Sequence, residues 1–124
     1  PVEIHLVHMD ASGNNLVVGV LCEIVEKILE EGPLRQAEVW DLTEHLQIFN
    51  PSLFLPKRRS HFHYVGSLTT PPTKGPINWF VFDTVGQLSR VFLSQFHEEV
   101  LTGNNRPLQP LKDRKILYYD ETSF

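Results

Sequence analysis

Two runs of β-forming residues separated by a turn cluster constrain this chain more than any other feature. Val2-Glu3-Ile4-His5-Leu6-Val7-His8 alternates, so a strand there puts Glu3, His5 and Val7 on one face and Ile4, Leu6 and His8 on the other. Asp10-Ala11-Ser12-Gly13-Asn14-Asn15 is rich in turn formers, and Leu16 to Ile24 reads as a long, mostly buried strand. The two strands are expected to form an antiparallel pair. The single cysteine, Cys22, falls in the second run among apolar neighbours and reads as a packed core thiol rather than a nucleophile. One cysteine makes neither an internal disulfide nor a thiolate zinc site, and the compartment stays open.

Beyond this pair the pattern changes. Val25 to Leu46 carries acidic residues and helix formers interrupted by Gly32-Pro33, which predicts short surface helices. Asn50-Pro51 to Pro56 reads as loop, Arg59 to Val65 as a strand, Gly66 to Pro72 as a constrained turn, and Ile77 to Phe82 as a returning strand. Gln87 to Leu101 places Leu88, Val91, Phe92, Phe96 and Val100 at helical spacing, which predicts an amphipathic helix ending near Gly103. The proline-rich tail Asn104 to Leu111 is unsuited to helix, and Lys115 to Tyr119 reads as a last strand.

At 124 residues and 41% hydrophobic content the chain is of single-domain size with an ordinary globular composition. Its net charge of −4 gives no electrostatic reason to expect nucleic acid or an anionic membrane as partner. The run Lys57-Arg58-Arg59 is short and isolated, and reads as a solvated loop. No apolar run approaches the roughly 20 residues of a membrane span, so insertion is not expected. Pro1 followed at once by a strand pattern, with no initiator Met and no signal peptide, points to a piece of a larger polypeptide.

Two histidine groupings invite a metal. His5 lies on a strand face with Glu3 two residues before it, and a carboxylate beside an imidazole is the usual device for orienting a ligand ring. Alone, such a histidine is more often a hydrogen-bonded core residue than a ligand. His61-Phe62-His63 has the spacing of a strand His-x-His zinc pair, with both rings on one face. It directly precedes Gly66-Ser67-Leu68, and chance mimicry of a ligand pair is the expectation. His45 and His97 fall in predicted helices and read as surface residues.

Glu3-Ile4-His5-Leu6-Val7-His8, Leu16-Val17-Val18-Gly19-Val20-Leu21, Gly66-Ser67-Leu68-Thr69-Thr70-Pro71-Pro72, Trp79 and Asn104-Asn105-Arg106-Pro107-Leu108-Gln109-Pro110-Leu111 together resemble α-class carbonic anhydrase, in order and approximate spacing, over essentially the whole chain. Ser-Leu-Thr-Thr-Pro-Pro is the most specific of these segments. In that family the segment matching His61–Val65 is an ordinary strand. The resemblance implies a mainly β fold with short peripheral helices, residues 1–124 being the carboxy-terminal half of a large twisted, mostly antiparallel sheet. It further implies Zn2+ as cofactor and reversible hydration of carbon dioxide to bicarbonate and a proton.

Carried over position by position, His5 matches the third zinc ligand and Glu3 the carboxylate that hydrogen-bonds it. Thr69 matches the threonine that accepts a hydrogen bond from the nucleophile, and Thr70 its neighbour lining the anion and bicarbonate site. Val7, Val17 or the adjacent Val18, Leu68 and Trp79 match the apolar wall on which carbon dioxide rests. Arg106 is expected to pin the tail onto the body. Thr73 stands where many secreted relatives carry Cys, and Met9 where an aromatic residue often follows the last histidine.

The family's first two zinc ligands, a His-x-His pair, lie upstream of the third and have no counterpart in these residues. The expectation is therefore an amino-terminal complement, on this or another chain, that completes both the sheet and the ligand set, the present residues alone being inactive. A second function of another class is a carbonic-anhydrase-like module that binds partners or scaffolds without turnover. Retention of His5, Glu3 and Thr69 favours the enzyme.

Overall fold

A computed structural model of the protein describes residues 2–26, 51–94 and 103–121. Chain order gives β1 (Val2–Met9), β2 (Asn15–Val25), a 3-10 turn (Pro51–Phe54), β3 (His61–Gly66), β4 (Ile77–Phe82), β5 (Gly86–Ser89), a single helical turn α1 (Arg90–Leu93) and β6 (Leu117–Tyr119). The strands form one six-stranded sheet in the order β1-β2-β4-β3-β6, with β5 also paired to β2. The sheet is mixed: β1–β2, β3–β4 and β3–β6 are antiparallel, whereas β2 pairs in parallel with β4 and β5. The mainly β architecture agrees with expectation.

The expected antiparallel pair forms with Glu3 opposite Leu21, His5 opposite Gly19 and Val7 opposite Val17. Asp10 holds the connecting turn. Its carboxylate accepts the backbone N–H groups of Ser12 and Asn14 at 2.9 and 2.8 Å and the Asn14 side-chain amide at 2.9 Å. These bonds hold its pKa below the usual carboxylate value, the Asn14 side chain contributing most. Gly13 takes a left-handed φ of 84° there, which a glycine adopts without a Cβ clash.

On its other edge β2 is shared lengthwise. β4 pairs with Asn15–Gly19 and β5 with Cys22–Val25. This overturns the expected helix from Gln87: Gln87 and Leu88 lie in β5, opposite Glu23 and Ile24. The physical reason is that β2 outruns β4, and β5 pairs the backbone groups left along that edge, which outweighs the helical spacing of the apolar residues. Helix begins only at Arg90, and the part of the prediction beyond Ser94 lies outside the described residues. The helices expected between Val25 and Leu46 also lie outside them, apart from Val25, which ends β2, and Glu26, as do His45 and His97. β3 starts at His61 rather than Arg59, whose N–H is turned aside to the Glu121 carboxylate at 2.7 Å.

Parity and register sort the interior into two clusters. One face buries Val20, Cys22, Phe82 and Leu88 under Phe54 and Leu93. The other buries Val17, Ile77 and Trp79, with Tyr64, Leu68 and Val81 packed against them. Among the described residues no helix is long and apolar enough to cross a membrane. Residues 57–59 are exposed loop, as expected.

Cys22 is 2% exposed, and burial pushes its thiol up to about 12. A thiol in the unfolded chain titrates near about 8.5. Below that pH both states are protonated and the group has no effect on stability. Between there and 12 only the unfolded chain loses the proton, so stability falls as pH rises across this window. Iodoacetamide at pH 8 should leave the native thiol largely unmodified and label it on unfolding; rapid native labelling would contradict the packing.

Candidate active site

The register decides which residues can meet. Across β1, β2, β4 and β3, one face carries Glu3, His5 and Val7, then Val17 and Gly19, then Ile77, Trp79 and Val81, then Phe62 and Tyr64. Val17 is therefore on the face of His5 and Val18 on the opposite one. Val17 and Trp79 are 1% and 3% exposed, while Val7 is 62% exposed toward the end of β1.

His5 stands edge-on to Trp79, with ring centroids 4.8 Å apart and planes at 72°. Its Nε2 is buried and lies 3.1 Å from Glu3 Oε1, yet the two lack the angle of a hydrogen bond, so the nitrogen has a carboxylate oxygen beside it but no donor–acceptor pair. Room for the carboxylate comes from Gly19. A Cβ on Gly19 would meet Glu3 Oε1 at 3.0 Å and a Val81 methyl at 3.4 Å. With Nε2 facing Glu3, Nδ1 is the ring nitrogen left for a ligand.

The turn 67–76 joins β3 to β4 beside this face. The Leu68 N–H donates to Lys74 O at 2.8 Å and the Thr73 N–H to Thr70 O at 2.8 Å, with Thr73 at a left-handed φ of 54°. A Cβ on Gly75 would fall 2.5 Å from Gly66 O, so only glycine permits this close crossing of backbone. Trp79 Nε1–H donates to Ser67 O at 3.0 Å, and Arg106 Nη1 donates to Ser67 Oγ at 2.8 Å and Leu68 O at 3.1 Å. Arg106 thus fastens the tail to this turn, as expected. Leu68 packs on the Val17–Ile77–Trp79 cluster, and Thr69 and Thr70 follow it as exposed residues.

Tyr64 and Gly19 were not singled out from the sequence, although both belong to this face. Tyr64 stacks parallel to Trp79 at 6.4 Å. Its phenol is raised first by burial and next by the charge of Glu3, with Arg114 opposing. Strand pairing is the signal that would have found them, since Tyr64 is opposite Trp79 and Gly19 opposite His5.

His61 and His63 lie on the reverse face of the sheet from His5. His63 stacks on Phe80 at 4.4 Å, and His61 packs at 5.2 Å against Tyr119 with Nδ1 2.7 Å from Arg59 O. They cannot share a metal with His5. His5 itself fits a zinc ligand, having an imidazole nitrogen free and the other set against a carboxylate. Among the described residues no three His, Cys, Asp or Glu side chains come together, so it fits as one member of a set these residues do not complete.

Residues 1–120 match the family of eukaryotic-type carbonic anhydrases. A carbonic anhydrase of Neisseria gonorrhoeae is 33% identical over 124 residues, covering 94% of this chain and 47% of its own length. Among solved structures, the α-carbonic anhydrase of Thermovibrio ammonificans in complex with the inhibitor sulfanilamide superposes with a TM-score of 0.70 at 35% identity, covering 92% of this chain and 52% of that one. A hyperthermostable carbonic anhydrase from an active hydrothermal vent chimney gives 0.74 at 32% identity, covering 97% and 55%. The chain spans about half the length of these relatives.

Trp79→Phe keeps a ring against His5 and Tyr64 but deletes the bond to Ser67 O. Urea unfolding should show a loss of about 1–3 kcal/mol, with faster hydrogen exchange at the Leu68 amide. Unchanged stability and exchange would mean that this bond does not hold the turn.

Proposed function

The chain belongs to the eukaryotic-type, α-class carbonic anhydrase family, and from that premise we propose that it is the carboxy-terminal half of a zinc enzyme hydrating carbon dioxide reversibly to bicarbonate and a proton. In this reading an amino-terminal segment, on the same or another polypeptide, supplies the remaining zinc ligands, and residues 1–124 alone are inactive. One observation carries it: the imidazole backed by a carboxylate shares a sheet face with the apolar cluster on which the Leu68–Thr69–Thr70 turn is packed.

His5 Nδ1 is assigned as the zinc ligand contributed by this chain. Zinc, when bound, supplies the Lewis acidity that makes water a nucleophile near neutral pH. Glu3 sets the ring from behind: its carboxylate favours the Nε2–H tautomer, which leaves Nδ1 with a lone pair. Gly19 keeps the space that this carboxylate occupies.

Thr69 Oγ1 accepts a hydrogen bond from the nucleophilic oxygen and so directs a lone pair at the carbon of carbon dioxide. With zinc bound, attack there would form one C–O bond as a C=O π pair moves onto oxygen, and the proton lost from water would pass to solvent. Val7, Val17, Leu68 and Trp79 form the wall for a substrate that gains little from hydrogen-bond donors. Thr70, next in the turn, borders the place where the bicarbonate product carries its charge.

Edge pairing supports the need for a complement. Among the described residues β1, the strand that carries His5, pairs with β2 alone, which leaves the backbone groups of its other edge to another strand.

Thr69→Ala in the complete protein should lower the hydration rate by about 100-fold or more while zinc content, measured by atomic emission, stays stoichiometric. An unchanged rate with zinc retained would remove Thr69 from its role. Full zinc loading without any hydration activity in the unmutated protein would favour the scaffold module instead.

A further inference from the structure

Beside the Gly66–Ser67 segment a cleft of about 330 Å3 opens between the end of β3 and the tail. Val65, Gly66 and Ser67 form one wall, and Arg106, Lys112 and Arg114 contribute to the other. The lining contains these three cations and no carboxylate, in a chain whose net charge is −4. Among the described residues none of the three takes part in an ion pair.

Carbonyl groups in and around the cleft accept from its two guanidinium groups. Val65 O, Pro110 O and Leu111 O accept from Arg114 Nη1, Nη2 and Nε at 2.7, 3.0 and 3.1 Å, and Leu68 O accepts from Arg106 Nη1 at 3.1 Å. These bonds fix both guanidinium groups in place without neutralising them. Arg106 still has Nε and Nη2 without a partner among the described residues, and guanidinium edges of this kind suit the paired oxygens of an oxyanion. Lys112 adds a point charge from a backbone held at a left-handed φ of 54°, a conformation that costs a non-glycine residue free energy unless its surroundings impose it.

We propose that this cleft binds a small oxyanion free in solution, of the class that includes phosphate and bicarbonate, through Arg106, Lys112 and Arg114. The cleft uses neither zinc nor Thr69, so failure here would leave the proposed hydration chemistry untouched. The direct probe is inorganic phosphate, titrated into the complete protein at constant ionic strength and followed by the NMR signals of the Lys112 amide and the two arginine Nε–H groups. Saturable shifts are expected. Lys112→Gly, which suits the left-handed backbone and so separates charge from stability, should weaken binding about fivefold. Lys112→Glu should abolish it, and Lys57→Gln, in the exposed loop before β3, should change nothing. Shifts that chloride reproduces, equal affinity in Lys112→Gly, or no response because a carboxylate of the protein already fills the cleft would each overturn the proposal.

Discussion

The pairing of β1 on β2 is the constraint from which the rest follows. A strand alternates its side chains with a period of two, so slipping this pair by one residue would move His5 and Glu3 to the opposite face of the sheet. The observed register sets His5 opposite Gly19, where a Cβ would lie 3.0 Å from the Glu3 carboxylate. Register and glycine together put a carboxylate behind the imidazole. Burial of Val17 and Val20 on opposite faces makes the register expensive to change, because each apolar side chain moved into water forfeits about 1.5–3 kcal/mol.

A second constraint acts on the turn that carries the threonines. Its backbone is held from three directions: within itself by the Leu68–Lys74 bond, from the sheet by the Trp79 indole, and from the tail by Arg106. Trp79 links the two halves of the site, since the same ring that touches His5 also binds the carbonyl of Ser67. Arg106 in turn belongs both to this anchoring and to the cationic cleft, so the tail has more to do than close the fold.

Much of this was legible in residues. Alternation in Val2–His8 and the acidic turn at Asp10 were enough to establish the first hairpin and to group Glu3, His5 and Val7. Parity within one strand says nothing about neighbours, however, and so the sequence left Val17 and Val18 open, overlooked Gly19 and Tyr64, and gave His61 and His63 no position relative to His5. Pairing between strands distant in sequence is what puts Val17, Gly19 and Tyr64 on the face of His5 and His61 and His63 on the reverse. The same non-local cause explains the misread Gln87–Leu88 segment, where a helical spacing of apolar residues yielded to the unpaired edge of β2. The cationic cleft was invisible for a related reason: Arg106, Lys112 and Arg114 are unremarkable in an acidic chain until the tail folds against β3.

The central claim is that the imidazole of His5 presents Nδ1 to a metal on the face it shares with Trp79. Anomalous diffraction at the zinc edge from crystals of the complete protein tests it most directly. The account predicts a single strong peak about 2.0–2.1 Å from His5 Nδ1, with the other ligands drawn from outside the described residues. A peak between His61 and His63 on the reverse face, with His5 unliganded, would contradict it.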